Sequence, residues 1–588
     1  MKKIISQNLL KSKKIDLMLN ITKISVICFV SITLVLNVIP FYLGDGPYIY
    51  ANASVNLSNG IYSITNELLE ETGRTEFVGN NWIKTDENLA VPQAGPRISI
   101  IGALFYSAAG YYGLLFLTPF FLILLLITSE RLATNLFGKY VGLLTLLFIA
   151  TSNLVFRNSI RLQSDIVFSF FILLGAFFLF KYLKERRDLN LFFASSLFAF
   201  SSILRINGIV FFPIEVFVLV GYFIIKNIHR NSEIHSSNFL SYIFKISFRK
   251  KTLKNVVFLL LPWMIFFAAY GLYHDYYFGD PFTNYNKLSE RTVYENDPST
   301  LLSFDNQNFE NVKAYSKYLL PYQFPAVYNK LDYNFNDILG ENWLGIVSLS
   351  LLFSILVASV YFKKQRTEIF ILILLILVNL WFYSSITSSE RAEQGVAGRY
   401  MIPVFTFSIM MISYMIVKFF QMPIFKKNFF NLLKYIMIFG FAIFFLISFY
   451  ANPYTQKIFD DEYDFNKFSK LFEQYPLDLE GLTNKSVILS AHGDRVLDYQ
   501  SIPFWVKDKG KISLDSLDLL KQIINDGYDV YVFKHVWNQN EKNIITDLRN
   551  NYGVALKEYS PTFCKVKVVS GNGTLNSDKI CYILDTVK

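Results

Sequence analysis

Cysteine is nearly missing from this chain: there are three in 588 residues, which excludes a disulfide-dense scaffold. Histidine is almost as scarce. The five residues are not clustered, so no histidine-based metal site is visible. Charge is sparse too, at 17% of the sequence, and it stands in short clusters between apolar runs. With 53% hydrophobic residues and a mean hydropathy of +0.33, the chain is too apolar to be a soluble protein of this length. No small-residue cleavage site follows the basic N-terminus (Lys2, Lys3, Lys11, Lys13, Lys14), so the first apolar run is expected to be a retained helix rather than a cleaved signal peptide.

Phe (59) and Tyr (37) are plentiful, which suits lipid-facing helices and interfacial belts. A span needs about 20 apolar residues, with shorter ones tolerated inside a bundle, and about eleven candidates follow. They are Ile24–Leu43, Leu114–Thr128, Tyr140–Phe156, Ile166–Tyr182, Leu191–Leu204, Ile209–Ile225, Val256–Leu272, Trp343–Phe362, Ile369–Ser385, Met401–Phe419 and Tyr435–Tyr450. Ile98–Ala109 is too short to span and reads as an interfacial helix. The fold class expected is mainly α: a polytopic membrane helix bundle.

Orientation follows from the Lys/Arg bias. The basic segments are the N-terminus, Arg131–Lys139, Lys181–Arg187, Lys226–Lys254, Lys363–Arg366 and Lys418–Lys434. All fall on one side under this span count, and that side is expected to be cytoplasmic. The formal charge of +10 therefore does not point to nucleic acid. The opposite loops include 44–97, which is acidic (Glu67, Glu70, Glu71, Glu76, Asp86, Glu87). Sequons at Asn52, Asn56, Asn484 and Asn572 would be external and the one at Asn20 would not, which is weak support.

The tail after residue 450 is a different material. Strands are expected at Val487–Ser490, Tyr528–Phe533 and Val554–Glu558. Helices are expected at Leu514–Asp526, with Ser513 as cap and Gly527 as stop, and at Glu541–Asn551. The runs Phe563–Val569 and Lys579–Leu584 flank Gly571-Asn572-Gly573, a hairpin signal. That hairpin would make Cys564 and Cys581 cross-strand neighbours, able to form a disulfide outside the cytosol. The expected organisation is a transmembrane module over 1–450, with 44–110 as its first external loop, and a small external α/β domain over 451–588.

Polar residues that intrude on the helix ends gather on the external side. Asp45, in Gly44-Asp45-Gly46-Pro47, follows the first span. An ionisable group at that depth reads as functional, although the same residues make an ordinary turn. Arg157, Asn158, Arg161, Gln163, Ser164 and Asp165 join the third and fourth spans, and Arg205 and Asn207 join the fifth and sixth. His274, Asp275, Asp280 and Asn284 follow the seventh; Glu390, Arg391, Glu393, Arg399 and Tyr400 precede the tenth. Helix centres read as apolar, whereas a transporter would place ionisable groups there. Arg binds phosphate through a paired set of donors and stays charged. A carboxylate can take a proton from a hydroxyl. Together they describe transfer from a lipid phosphate to an acceptor hydroxyl. For each of these Arg residues, Arg157, Arg161 and Arg399 among them, the competing reading is contact with lipid headgroups.

The ordered motifs are Asp45 after the first span, Arg157-x-x-x-Arg161-x-x-Ser164-Asp165, and Leu204-Arg205-x-x-Gly208-x-x-x-x-Pro213, followed by Phe278-Gly279-Asp280-Pro281 and Gly398-Arg399-Tyr400-x-x-Pro403. This pattern, over roughly residues 20–420, resembles the GT-C membrane glycosyltransferases. The branch it looks most like contains protein O-mannosyltransferases and lipid A aminoarabinose transferases. The resemblance implies a polyprenyl- or dolichyl-phosphate sugar donor, a lipid, glycan or protein acceptor, and an inverting single displacement. It implies Asp45 as catalytic residue and Arg399, with Arg205 and Arg161, as ligands of the donor phosphate. Asp165 is expected to orient acceptor or sugar, with Arg157 and Tyr400 beside the donor. Many relatives carry Asp-Glu at the first position. Here Gly46 follows Asp45, which weakens any case for a divalent metal, and no cofactor is expected. The Trp-Trp-Asp signature of oligosaccharyltransferases is absent, which disfavours oligosaccharide transfer to Asn.

Overall fold

The computed structural model describes residues 2–38, 45–60, most of 66–92, 97–230, 250–281, 306–316, 365–386 and 397–421. In the C-terminal part it describes 485–490, 501–505, 513–533, 535–536, 555–558, 563–567 and 584–585, with a few further single positions. In chain order the elements begin with helices α1 (Lys2–Asn37), α2 (Asp45–Ser58) and α3 (Glu67–Thr72) and strands β1 (Trp82–Lys84) and β2 (Ala90–Pro92). Helices α4 (Ser99–Phe137), α5 (Lys139–Ala150), α6 (Asn153–Ser159), α7 (Ser164–Glu185), α8 (Asp188–Leu204) and α9 (Phe211–Arg230) follow. Next come α10 (Lys250–Phe278), α11 (Asn306–Ser316), α12 (Arg366–Ile386) and α13 (Ile402–Phe420). The tail holds β3 (Ser486–Ser490), β4 (Ser501–Trp505), α14 (Leu514–Asn525), β5 (Asp529–Phe533), β6 (His535–Val536), β7 (Ala555–Glu558), β8 (Phe563–Lys567) and β9 (Leu584–Asp585). The chain forms two compact units. One is Met1–Val38, Phe116–Tyr273 and Arg291–Lys457; the other is Ile39–Leu115, His274–Glu290 and Ile458–Lys588.

Among the described residues, six helices are long and apolar enough to cross a membrane: Asp16–Val35, Ser99–Phe137, Ser164–Glu185, Leu253–Phe278, Arg366–Ser384 and Arg399–Phe420. Lys139–Ala150, Asp188–Leu204 and Ile206–Gly221 are shorter apolar helices. The chain is a multi-pass membrane protein. The expected span Tyr435–Tyr450 lies outside the described residues, as does most of Trp343–Phe362. The expected span Tyr140–Phe156 is interrupted. Ser152 leaves the helix, and its Oγ accepts from Val155 N at 3.5 Å to cap α6. What remains, α5, has 12 residues and is about 18 Å long, too short for a bilayer core and buried along its length from Val141 to Ala150. The runs Ile98–Ala109 and Leu114–Thr128 lie in one element, α4, broken at Ala109 and Gly110. Gly110 has φ +59 and ψ −144, a conformation reserved for glycine, so the break is written in its identity.

In the first unit, ion pairs tie together basic segments that the Lys/Arg pattern puts on one side. Lys23 of α1 pairs with Glu130 of α4. Lys139 pairs with Asp16 at 2.7 Å, and Lys254 pairs with Asp188 at 2.9 Å. The N-terminal segment and the α4–α5 turn thus share one end of the bundle.

The second unit is built around a five-stranded sheet of order β4-β3-β5-β8-β7. β3 is parallel to both β4 and β5, and β8 is antiparallel to both β5 and β7. Ser513 caps α14 through Ser516 N at 3.1 Å, and Gly527 follows at φ +90, as the sequence leads one to expect. The expected hairpin across Gly571–Gly573 fails at its first strand. Both edges of β8 are taken, so Cys564 stands opposite Val532 and Glu558. The turn itself and Cys581 lie outside the described residues, as does most of the expected helix Glu541–Asn551. Residues of the first loop belong to the same core. Leu68, Leu69, Phe77 and Ala90 are buried with Val487, Leu489, Leu520, Ile523 and Val532.

Candidate functional site

Three connections that are far apart in the sequence converge in the first unit. Asp165 lies in the first turn of α7, where the helix N-terminus favours a negative group. Arg205 is the residue at which α8 stops, in extended conformation. Its Nη1 donates to Asp165 Oδ1, and the side chains of the pair are only 11% and 4% exposed. The turn after Arg205 is tight: Gly208 N donates to Arg205 O at 2.8 Å, and a side chain at Gly208 would overlap Ser201 and Ser202. This accounts for the Arg205-x-x-Gly208 spacing.

Tyr400 supplies the floor. The Arg205 guanidinium lies 4.4 Å from its ring centre, and that of Arg399 lies 5.1 Å away. Arg399 Nη2 also donates to the Tyr400 hydroxyl at 3.1 Å. Beneath Tyr400, Tyr383 of α12 stacks parallel, with centroids 5.9 Å apart and planes within 5°. Tyr383 is fully buried and faces Arg205 and Asn207. The result is two guanidinium groups on one aromatic platform, with one carboxylate among them. Such an arrangement holds Arg planes fixed for a phosphate.

Of the expected site residues, Asp165, Arg205, Arg399 and Tyr400 are thus brought together. Arg161 is half-buried just before α7, and Arg157 is exposed in the last turn of α6. Asp45 opens α2, in the other unit, and its side chain lies outside the described residues. Asp275 and Asp280 are exposed and His274 is buried; Asn284, Glu390, Arg391 and Glu393 lie outside the described residues. Among the described residues no three His, Cys, Asp or Glu side chains gather as a metal site would need.

No protein-family model matches the sequence, and a search of curated proteins finds no match. Solved structures do match. ArnT from Cupriavidus metallidurans bound to undecaprenyl phosphate aligns over 94% of this chain and 98% of its own, at 11% identity, with a TM-score of 0.53. ArnT in the apo state aligns over 93% and 97%, at 10% identity, with a TM-score of 0.50. The chain has the GT-C fold. An oligosaccharyltransferase from Archaeoglobus fulgidus also aligns, over 94% of this chain and 75% of its own, at 11% identity and a TM-score of 0.47.

Sequence reasoning missed two members of this GT-C bundle. Tyr383 is one. The other is Glu215 of α9, fully buried, which contradicts the expectation that helix centres are apolar. Its Oε1 accepts from Ser195 Oγ of α8 at 2.6 Å and its Oε2 from Trp263 Nε1 of α10 at 3.2 Å. It ties α8, α9 and α10 together. A carboxylate standing two residues after Pro213 inside an apolar run was the available signal. Glu215→Gln keeps an acceptor for Trp263 and a partner for Ser195, so its unfolding temperature in detergent should match the wild type. Glu215→Leu leaves two buried donors unpaired, at about 1–3 kcal/mol each, and should unfold several degrees lower.

Proposed function

We propose that the chain is an inverting glycosyltransferase. It would move a sugar from a polyprenyl- or dolichyl-phosphate carrier to a hydroxyl of a lipid, glycan or protein acceptor, at the external face of a plasma membrane. The N-terminus would be cytoplasmic and the tail external. The observation that carries this reading is the Asp165–Arg205–Tyr400–Arg399 cluster, with Asp165 buried and the other three half-buried, set where membrane helices end in a GT-C fold. The ArnT structure holds undecaprenyl phosphate, and such a ligand suits two Arg side chains fixed on an aromatic floor.

In this reading the acceptor oxygen attacks the anomeric carbon from the face opposite the phosphate. The carbon–oxygen bond to phosphate breaks, and the carrier phosphate leaves with the electron pair. Arg205 and Arg399 meet the growing negative charge, with Arg161 and Arg157 as further ligands of the donor, and Asp45 takes the acceptor proton. Asp165 holds the Arg205 plane in place and orients acceptor or sugar. The test is transfer by purified protein in lipid nanodiscs from a panel of labelled undecaprenyl- and dolichyl-phosphate sugars, with an acceptor extract supplied. Transfer from one donor, with inverted anomeric configuration, is the expected result. No transfer from any donor, with undecaprenyl phosphate still bound, would shift the reading to a non-catalytic carrier of lipid-linked sugar.

A further inference from the structure

The first loop and the tail are separated by roughly 400 residues in sequence, yet they share one hydrophobic core. α3 is built locally. Asn66 caps it by accepting from Leu69 N at 2.9 Å, and Gly73 ends it at φ +61. The Asn66 Nδ2 donates to Phe77 O at 3.1 Å, which folds the following turn back on the helix. Lys84 of β1 donates to Gly73 O at 2.8 Å, which ties the β1–β2 ribbon to the same helix end. The product is a small wedge whose apolar side chains, Leu68, Leu69, Phe77 and Ala90, are at most 4% exposed. They are covered by residues of β3, α14, β5 and β8. Across this seam, Tyr528 Oη donates to Glu67 Oε2 at 2.8 Å. Burial first, then the hydrogen bond and the charges of Glu67, Glu71 and Asp526, hold the Tyr528 phenol above the ordinary tyrosine range, so it stays a donor at neutral pH.

The same loop brackets α2. α3 follows α2 after a few residues, and on the other side the start of α4 packs against it. Arg97 Nη1 reaches the Tyr50 hydroxyl at 3.5 Å, Ser99 Oγ donates to Tyr50 O at 3.4 Å, and a side chain at Gly102 would overlap Ser54. Arg97 takes φ +36 to make this approach. α2 thus lies between α3, whose apolar side chains share the core of the tail, and the start of α4, which packs against it directly.

We propose that the C-terminal α/β domain is a positioning element for the first loop: the wedge formed by residues 66–92, latched by Glu67 to Tyr528, fixes α2 and with it the catalytic Asp45. The inference rests on the transferase reading. It assigns the tail to kcat, not to acceptor recognition.

The experiment uses the full chain in nanodiscs, as wild type, Leu69→Asp and Tyr528→Phe. Hydrogen exchange of residues 45–92 is followed beside steady-state transfer and equilibrium binding of undecaprenyl phosphate. Tyr528→Phe keeps the core and removes only the latch. Exchange in 66–74 should quicken about tenfold and kcat should fall several-fold, with acceptor KM and undecaprenyl phosphate affinity unchanged. Leu69→Asp should expose the whole wedge and lower kcat by two orders of magnitude, again with binding intact. A rise in acceptor KM at constant kcat would overturn the proposal and make the tail an acceptor module. Unchanged exchange across 45–92 in both variants would overturn it as well. If the wild type transfers nothing, the transferase reading falls, and the exchange result alone decides whether the tail holds the loop.

Discussion

Asp45→Asn protein is expected to bind undecaprenyl phosphate as the wild type does and to transfer sugar slower by about 10²–10⁴, the usual contribution of a general base. The substitution keeps the size and polarity of the side chain and removes its ability to accept a proton. Asp45 is the first residue of α2, and asparagine serves as well as aspartate at a helix start, so the fold should be indifferent. The loss should therefore sit in kcat with acceptor KM unmoved, the mark of an interaction used only in the transition state. Gly46, following Asp45, leaves no neighbouring carboxylate at that position to take over. Retention of the wild-type rate would keep the enzyme and remove Asp45 from its mechanism.

The bundle was legible because a bilayer imposes a coarse rule. A span must be long and apolar, and the runs Ile166–Tyr182, Val256–Leu272, Ile369–Ser385 and Met401–Phe419 all became helices. The cluster was legible for the same reason. Asp165, Arg205 and Arg399 stand at the ends of apolar runs, and burying such groups is costly unless they meet partners. Tyr383 carried no comparable signal. It is one tyrosine inside an apolar run of an aromatic-rich chain, and only the third dimension puts it under Tyr400.

Long-range packing was likewise unreadable. Leu68 and Leu69 sit in an acidic loop and look like an ordinary amphipathic turn, whereas their partners lie in the tail. β4, Ser-Ile-Pro-Phe-Trp, was not among the expected strands. The sheet tolerates Pro503 because β4 is an edge strand and need not donate on both sides. Glu215 shows the opposite failure. Its charge was visible, but the partners that make it affordable, Ser195 and Trp263, come from two other helices.

The Asp165–Arg205 pair should separate architecture from chemistry. Arg205→Ala leaves Asp165 buried at the start of α7 without its counter-charge, and Asp165→Asn leaves the guanidinium in the same state from the other side. Breaking a buried pair by removing one partner costs about 3–5 kcal/mol, so each single variant should unfold at clearly lower temperature in detergent. The double variant removes both charges and should recover much of that loss, a coupling that independent sites would not show. Transfer should not follow stability. Asp165→Asn keeps Arg205 stacked on Tyr400 and should retain part of its activity. On the proposed transferase reading, Arg205→Ala removes a charged donor that meets the leaving phosphate, which is worth about 10²–10³ in rate, and the double variant should be as slow as Arg205→Ala despite its recovered stability. Arg205→Lys sharpens the distinction, since it keeps the charge while giving up the planar fork and the stacking on Tyr400. It should fold close to the wild type and bind undecaprenyl phosphate more weakly. A double variant that regained transfer along with stability would assign Arg205 to the scaffold and leave Arg399 as the phosphate ligand.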